Sequence, residues 1–421
     1  MSKECHGEGS SNLASRRRVA TRRVDECTTM EDLFLHCLPA FGGAFLRRIY
    51  GILDRAVGEG FPLTLAISGP VTVSGQHQAW LIPLLETGWV AYLSTTDAVC
   101  YHDGHRSLDE HKDPVVEVPI FGDDGALRDE GIIRVTDMAF EEDVLIQQDR
   151  FISACLARPE FQKRMTGTEM HYLLGKLYAA QEAKNEVSAG LLATCQKLGI
   201  PVLVGAPADG SVFLNSMKLW AMQRAGIGSP YAFELDMHAE VFEACAYHRW
   251  GLFESAAKGL ATLILGGGVP KNYNLQPEPA MGQVLGLPEV RGYSFDVQVV
   301  TAPVTDGSLS SCPPAEAVTW GKVDRDLYEK TTESMQSDYS IVMPFLVRAL
   351  LEKRERFARW AEKMGEEALF AKHPEARGYL RPKDGYRLFE RRDDLVGKLL
   401  DDVRKNEDWL KNTIAYPLAA R

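Results

Sequence analysis

The run Ala261-Thr-Leu-Ile-Leu265 is apolar throughout and ends in three consecutive glycines, Gly266-Gly267-Gly268. Five residues without alternation read as a strand buried on both faces. Glycines at its end mark a place where backbone must come close to something else. Four more runs share the form. Leu63–Ile67 precedes Ser68-Gly69-Pro70, and Trp89–Leu93 leads to Thr95-Thr96-Asp97. Ile200–Val204 leads to Asp209-Gly210-Ser211, and Phe295–Val300, the last clear strand, precedes Thr301-Ala302. Helical patterns lie between and around them, at Met30–Gly51, Ala79–Thr87, Ala179–Lys197, Phe233–Ser255 and Ile341–Phe370. Buried strands alternating with helices predict an α/β fold, a parallel sheet with helices on both faces. All strand C-termini then share one edge, where ligands bind.

With 421 residues the chain is long enough for one large domain with extensions. Residues 1–28, polar and carrying Arg16-Arg17-Arg18 and Arg22-Arg23, read as a disordered tail. Residues 29–370 read as the catalytic domain, and 371–421, with a charged helical pattern at Asp393–Lys411, as a helical C-terminal appendage. The polar stretch 104–140 reads as loops and short strands. A net charge of −11 disfavours nucleic acid and is compatible with a cationic substrate. No apolar run has the roughly 18 residues of a membrane span, and no signal-peptide pattern is present. The eight cysteines are scattered without a C-x-x-C pair, which fits reduced thiols in a cytoplasmic protein.

The chemistry centres on Thr319-Trp320-Gly321-Lys322. A lysine held against an indole loses hydration, and its neutral amine becomes a nucleophile able to form an imine. Glu316, four residues before Trp320, is placed to share a helix face with it. The glycine run lacks the G-x-G-x-x-G pattern of the common dinucleotide fold, so a nucleotide site here needs another layout. His102-Asp103, His105 and His111 match no standard metal-ligand spacing, and no metal is expected. Neither a G-x-S-x-G elbow nor a P-loop is present.

Several of these segments together resemble the deoxyhypusine synthase family. They are Leu265–Lys271, Thr301-Ala302, Asp306-Gly307-Ser308 and Glu316–Lys322, with weaker support from Thr95-Thr96, Pro201 to Ser211, and Ser337-Asp338-Tyr339-Ser340. The resemblance spans roughly residues 30–350. It implies a Rossmann-like NAD-binding domain, assembled as a homotetramer, that transfers the aminobutyl group of a polyamine such as spermidine. By this resemblance Lys322 carries the imine, while Trp320, Glu316, Asn272, Gly307 and Ser308 bind the amine. Thr96, Asp209, Gly266, Gly267, Thr301, Ala302, Asp306 and Asp338 hold NAD. Three positions depart from the family pattern: Asn272 replaces a histidine, Leu309 replaces an acidic residue, and a further acidic position falls at Leu214-Asn215. The departures favour a small amine acceptor, as in a homospermidine synthase. The alternatives are deoxyhypusine formation on a lysine of a translation-factor precursor, and a non-catalytic protein that binds NAD or polyamine.

Overall fold

The computed structural model describes residues 17–108, 113–381 and 384–414. Its centre is a six-stranded sheet in the order β11-β10-β9-β1-β2-β7, every pairing parallel. The strands are β1 (Leu63–Ile67), β2 (Val90–Thr95), β7 (Val202–Val204), β9 (Ala261–Leu265), β10 (Phe295–Val300) and β11 (Thr332–Gln336). The predicted α/β class and parallel sheet hold, and all five predicted strands are present. The sixth, β11, was not foreseen. It is the polar edge strand Thr-Glu-Ser-Met-Gln, only partly buried, so it carries no apolar run to read.

Periodicity overran the helix ends where local breaks intervene. Met30–Gly51 is two helices, Met30–Cys37 and Phe41–Gly58, separated at Leu38-Pro39-Ala40. Ala179–Lys197 divides between Gly167–Asn185 and Leu191–Leu198. Phe233–Ser255 narrows to Met237–Phe253, whose N-terminus Asp236 caps by accepting from Ala239 N–H at 3.0 Å. The pattern from Ile341 is the helix Tyr339–Met364 followed, after Gly365, by Glu366–Lys372. Within the stretch 104–140, β3 (Val116–Glu117), β4 (Ile132–Val135) and β5 (Met138–Glu141) form a small antiparallel sheet. A short parallel pair, β6 (Arg164–Met165) and β8 (Glu234–Leu235), completes the strands among the described residues.

The two faces of the main sheet differ. Leu63, Leu65 and Ile67 join Leu263, Leu265, Val297 and Val299 in the large apolar core beneath helices Phe41–Gly58 and Tyr339–Met364. The other face carries polar residues beneath the helix Gly268–Leu275. There Asn274 Nδ2 donates to Thr262 Oγ1 at 2.9 Å and Thr64 Oγ1 at 3.2 Å, and its Oδ1 accepts from Ser94 Oγ at 3.3 Å. Thr64 continues through Tyr293 and Tyr92 to His248, and His248 pairs with Glu278. Asn274 therefore fastens one helix to three adjacent strands, β9, β1 and β2.

The described residues toward each end of the chain lie against this body. Of the tail, residues 1–16 fall outside the described residues, while Arg22 N–H donates to His36 O at 3.1 Å and Cys27 Sγ lies 3.4 Å from Cys37 Sγ. In the C-terminal segment the helix Arg392–Lys405 packs on Met237–Phe253, burying Leu395 and Leu399 with Tyr92, Tyr247 and Trp250. Tyr379 OH donates to Asp54 at 2.5 Å. None of the helices among the described residues is long and apolar enough to cross a membrane.

Two stability predictions follow from this packing. Leu399→Ala should cost about 2–5 kcal/mol in urea denaturation, as for a buried leucine, whereas Leu400→Ala, at a side chain 39% exposed, should stay within about 0.5 kcal/mol. Asn274→Ala should cost about 3 kcal/mol by leaving Thr64, Thr262 and Ser94 short of partners in a buried site. A cost under 0.5 kcal/mol would show that the network does not fasten the helix.

Candidate active site

In strand order the chain leaves β1 for β2 and β7 on one side, then returns to β9, β10 and β11 on the other. The sheet thus reverses between β1 and β9, and the crevice outside such a reversal is where open α/β sheets bind ligands. Gly266 leaves β9 at φ +82°, and Gly267 donates its N–H to Ser68 Oγ at 2.6 Å. A Cβ on Gly267 would stand 2.6 Å from that same oxygen, so a side chain here would displace the Ser68 hydroxyl. Tyr339 OH, at the head of the last long helix, donates to Ser68 O at 2.9 Å. Beside it opens a cavity of about 600 Å³, lined by Pro70, Ser74, Arg106, Met138, Asp338 and Tyr339. A larger cavity of about 780 Å³ around Phe61, Trp89 and Ala256 lies at the opposite edge, where the strands begin.

The other residues expected around a cofactor spread along the strand ends. Thr96 precedes the helix Asp97–His102, and Asp209 closes a short turn of helix after β7. Thr301 and Ala302 follow β10, with Thr301 O accepting from Gln336 Nε2 at 3.1 Å. Asp306 accepts from Ser308 N–H at 2.7 Å across Gly307, a local turn that occupies one carboxylate oxygen. Asp338 caps the helix Tyr339–Met364 by accepting from Ser340 N–H at 2.8 Å. Only Asp338 of this group lines the 600 Å³ cavity.

Lys322 is 9% exposed, and its Nζ donates to Asn272 Oδ1 at 3.1 Å. Its main chain is fixed on both sides: its N–H donates to Ala317 O, and its carbonyl accepts from Tyr293 N–H, both at 3.0 Å. Burial pulls the amine below the ordinary lysine value; the Cys312 thiol opposes this and the Lys271 ammonium adds to it. Trp320 contributes less than its sequence position promised. Its ring centroid is 6.0 Å from Nζ, at the outer limit of a cation–π contact, and the residue is 59% exposed. Glu316 is exposed, and the charge it contributes is felt at Lys271 and Cys312. Leu309 packs toward Gly268, its Cβ 3.3 Å from where a glycine Cβ would stand. Leu214 is exposed, and Asn215 is turned inward to Asp149 and Ser153.

Beneath Lys322 is a cluster that motif reading passed over. Lys271 is buried, and its Nζ donates to Gln298 Oε1 at 2.8 Å and Cys312 O at 2.5 Å. Asp296, two residues before Gln298 on β10, is 1% exposed, and neither carboxylate oxygen has a hydrogen-bond partner. Burial pushes its carboxyl up to about 7, with Lys271 pulling the other way. The signal was present in the strand itself: in Phe-Asp-Val-Gln-Val-Val the polar residues alternate, which puts Asp296 and Gln298 on one face. His102 and His105 pair with each other, Nδ1 to Nε2 at 3.0 Å, while His111 lies outside the described residues. No group of three potential metal ligands occurs among the described residues.

The comparisons agree with this architecture. The family model "Deoxyhypusine synthase" matches residues 34–350. A "Deoxyhypusine synthase-like protein" of Nostoc punctiforme is 35% identical over 339 residues, which are 80% of this chain and 83% of that protein. Another of that name from a Nostoc species is 32% identical over 395 residues, covering 93% of this chain and 92% of its own. "Probable deoxyhypusine synthase 2" of Methanosarcina mazei is 26% identical over 297 residues, 70% of this chain and 79% of that one. A parallel sheet that reverses at a glycine-rich strand end, a buried lysine bonded to the helix that follows it and a family match over most of the length lead to one assignment: the chain belongs to the deoxyhypusine synthase family.

Proposed function

We propose that the protein is an NAD-dependent transferase that moves an aminobutyl group from a polyamine to a small amine by way of an imine on Lys322. The carrying observation is the Lys322 amine itself. It is largely buried, lowered in pKa by that burial, and hydrogen-bonded to the amide oxygen of Asn272, which brings no counter-charge to it. The strand-end crevice suits the cofactor. The helix Gly268–Leu275 begins at this strand end, and a helix N-terminus is receptive to anions. The adjoining cavity is within the range of cofactor sites, about 300–1,000 Å³. Bound NAD would accept a hydride from the carbon beside the donor's secondary amine and return it at the end, so no net oxidation results.

This chain's residues would handle the remainder. Lys322 adds through its neutral Nζ to the oxidised carbon, and the departing diamine takes the proton that Lys322 gives up. Asn272 orients Nζ for the attack. The acceptor amine then adds to the same carbon and releases Lys322. Asn272 and Leu309 stand where the resemblance expects a histidine and a carboxylate, so the amine pocket carries fewer charged grips, which favours a short amine such as putrescine. Deoxyhypusine formation has one observation on its side: Val304, Leu309 and Trp320, on the segment that leads to Lys322, are exposed apolar residues that a protein acceptor could meet. A homotetramer, the assembly the family resemblance implies, would cover that apolar rim.

Lys322→Arg and Lys322→Ala should each lower transfer by about a thousandfold or more while sparing NAD binding, since neither offers a deprotonatable amine. Borohydride quenching followed by peptide mass spectrometry should find the donor carbon on Lys322 and nowhere else. Gly267→Leu should abolish NAD binding in titration calorimetry with the fold retained; unchanged binding would move the site elsewhere. With NAD, spermidine, putrescine and a lysine-bearing translation-factor precursor in one reaction, the mass gain should appear on putrescine. Gain only on the protein lysine would establish the other reading.

A further inference from the structure

Residues 17–27 lie along the helix Met30–Cys37 and are held to it by a few contacts. Arg22 N–H donates to His36 O at 3.1 Å, Arg17 Nη2 donates to Leu35 O at 3.0 Å, and Arg22 pairs with Asp32 at 3.1 Å. The two arginine side-chain contacts are at the surface, where such bonds contribute little. Cys27 comes to stand beside Cys37, ten positions on, with the two Sγ atoms 3.4 Å apart. Cys27 Sγ also donates to Arg23 O at 3.6 Å and Cys37 Sγ to Arg22 O at 3.4 Å, so both thiols face one stretch of backbone. The helix itself is anchored in the body: Met30 N–H donates to Glu352 at 3.0 Å, and Lys353 pairs with Glu31 at 2.9 Å.

We propose that Cys27 and Cys37 form a reversible disulfide, a redox-dependent clasp that fastens the segment before this helix to the body of the protein. Cys100, Cys155, Cys195 and Cys245 are buried, whereas Cys27 and Cys37 are both partly exposed and open to a small disulfide such as oxidised glutathione. The sulfurs of a disulfide are about 2.05 Å apart, so the pair must close by roughly 1.4 Å. Each cysteine stands at the end of an element, Cys27 after the turn Val24–Glu26 and Cys37 as the last residue of its helix, where backbone yields most readily. One cysteine thiolate attacks a sulfur of glutathione disulfide, forming a mixed disulfide and expelling a glutathione thiolate. The other thiolate attacks the protein sulfur of that mixed disulfide, the Sγ–Sγ bond forms, and the second glutathione thiolate leaves. The protein thiols thus lose two protons and two electrons, glutathione disulfide is reduced to two thiols, and excess thiol reverses the exchange.

The sequence supplies the readout. Between Arg23 and Arg47 there is no lysine or arginine, so trypsin leaves both cysteines on the peptide Val24–Arg47. The full chain is equilibrated with oxidised and reduced glutathione, quenched with iodoacetamide and digested without reductant. That peptide should be lighter by two hydrogens and carry no alkyl group, and dithiothreitol should restore both thiols. Cys27→Ser and Cys37→Ser should each leave the other cysteine alkylated or bound to glutathione. Closure should be favoured at least about tenfold more in the folded chain than in urea, because folding has already set the sulfurs side by side. In brief native proteolysis, oxidation should slow tryptic cleavage after Arg23 severalfold in the wild type and leave it unchanged in Cys37→Ser. A folded protein in which Cys27 and Cys37 are separately modified, or joined to a cysteine elsewhere, overturns the inference. So does closure no more favourable than in urea, or cleavage after Arg23 that closure does not slow.

Discussion

The helix Gly268–Leu275 can hold its residues over the sheet only because Asn274 is fastened beneath it. Three strands offer hydroxyls at one level, Thr262, Thr64 and Ser94, and a single amide side chain satisfies them together. A buried polar layer of this kind is stable only when every member is paired. Once it is paired, the helix has little freedom to slide, and Asn272 and Lys271 are fixed relative to β10. The distance from Asn272 to Lys322 and the alignment of Lys271 with Gln298 both inherit their definition from that layer.

The same face of the sheet explains why the site tolerates so much buried charge. Lys271 reaches Gln298 in a region lined by polar strand residues, not in the aliphatic core that fills the opposite face, and buried Asp296 shares that face of β10. A buried ammonium is costly, and its two hydrogen bonds to Gln298 and Cys312 offset part of the cost.

The C-terminal segment has a structural role that its charged sequence conceals. Leu388, Leu395 and Leu399 close the core over Tyr92 and Tyr247, and Arg249 pairs with Asp402 at 2.5 Å. Tyr92 is also a member of the hydroxyl network that reaches Thr64 and His248. Packing at the end of the chain is thus one step from the layer that holds the site helix.

The sequence by itself determined the sheet and its functional edge, because a strand buried on both faces must be apolar throughout and its exit must be small. Ala261–Leu265 with Gly266-Gly267 is legible for that reason, as are the residue types at Lys322 and Asn272. It did not determine β11, whose polar edge residues carry no run, nor the helix breaks at Pro39 and Gly365, where periodicity continues across a change of direction. Only the tertiary structure decided what surrounds Lys322. Trp320 stands at the outer limit of contact and Glu316 is exposed, whereas Tyr293, Asn272 and Lys271, which bond to Lys322 or act on it, come from 29, 50 and 51 residues away. Desolvation and charge act through space, and the register of β10 against β9, not the spacing along the chain, sets which groups share that space.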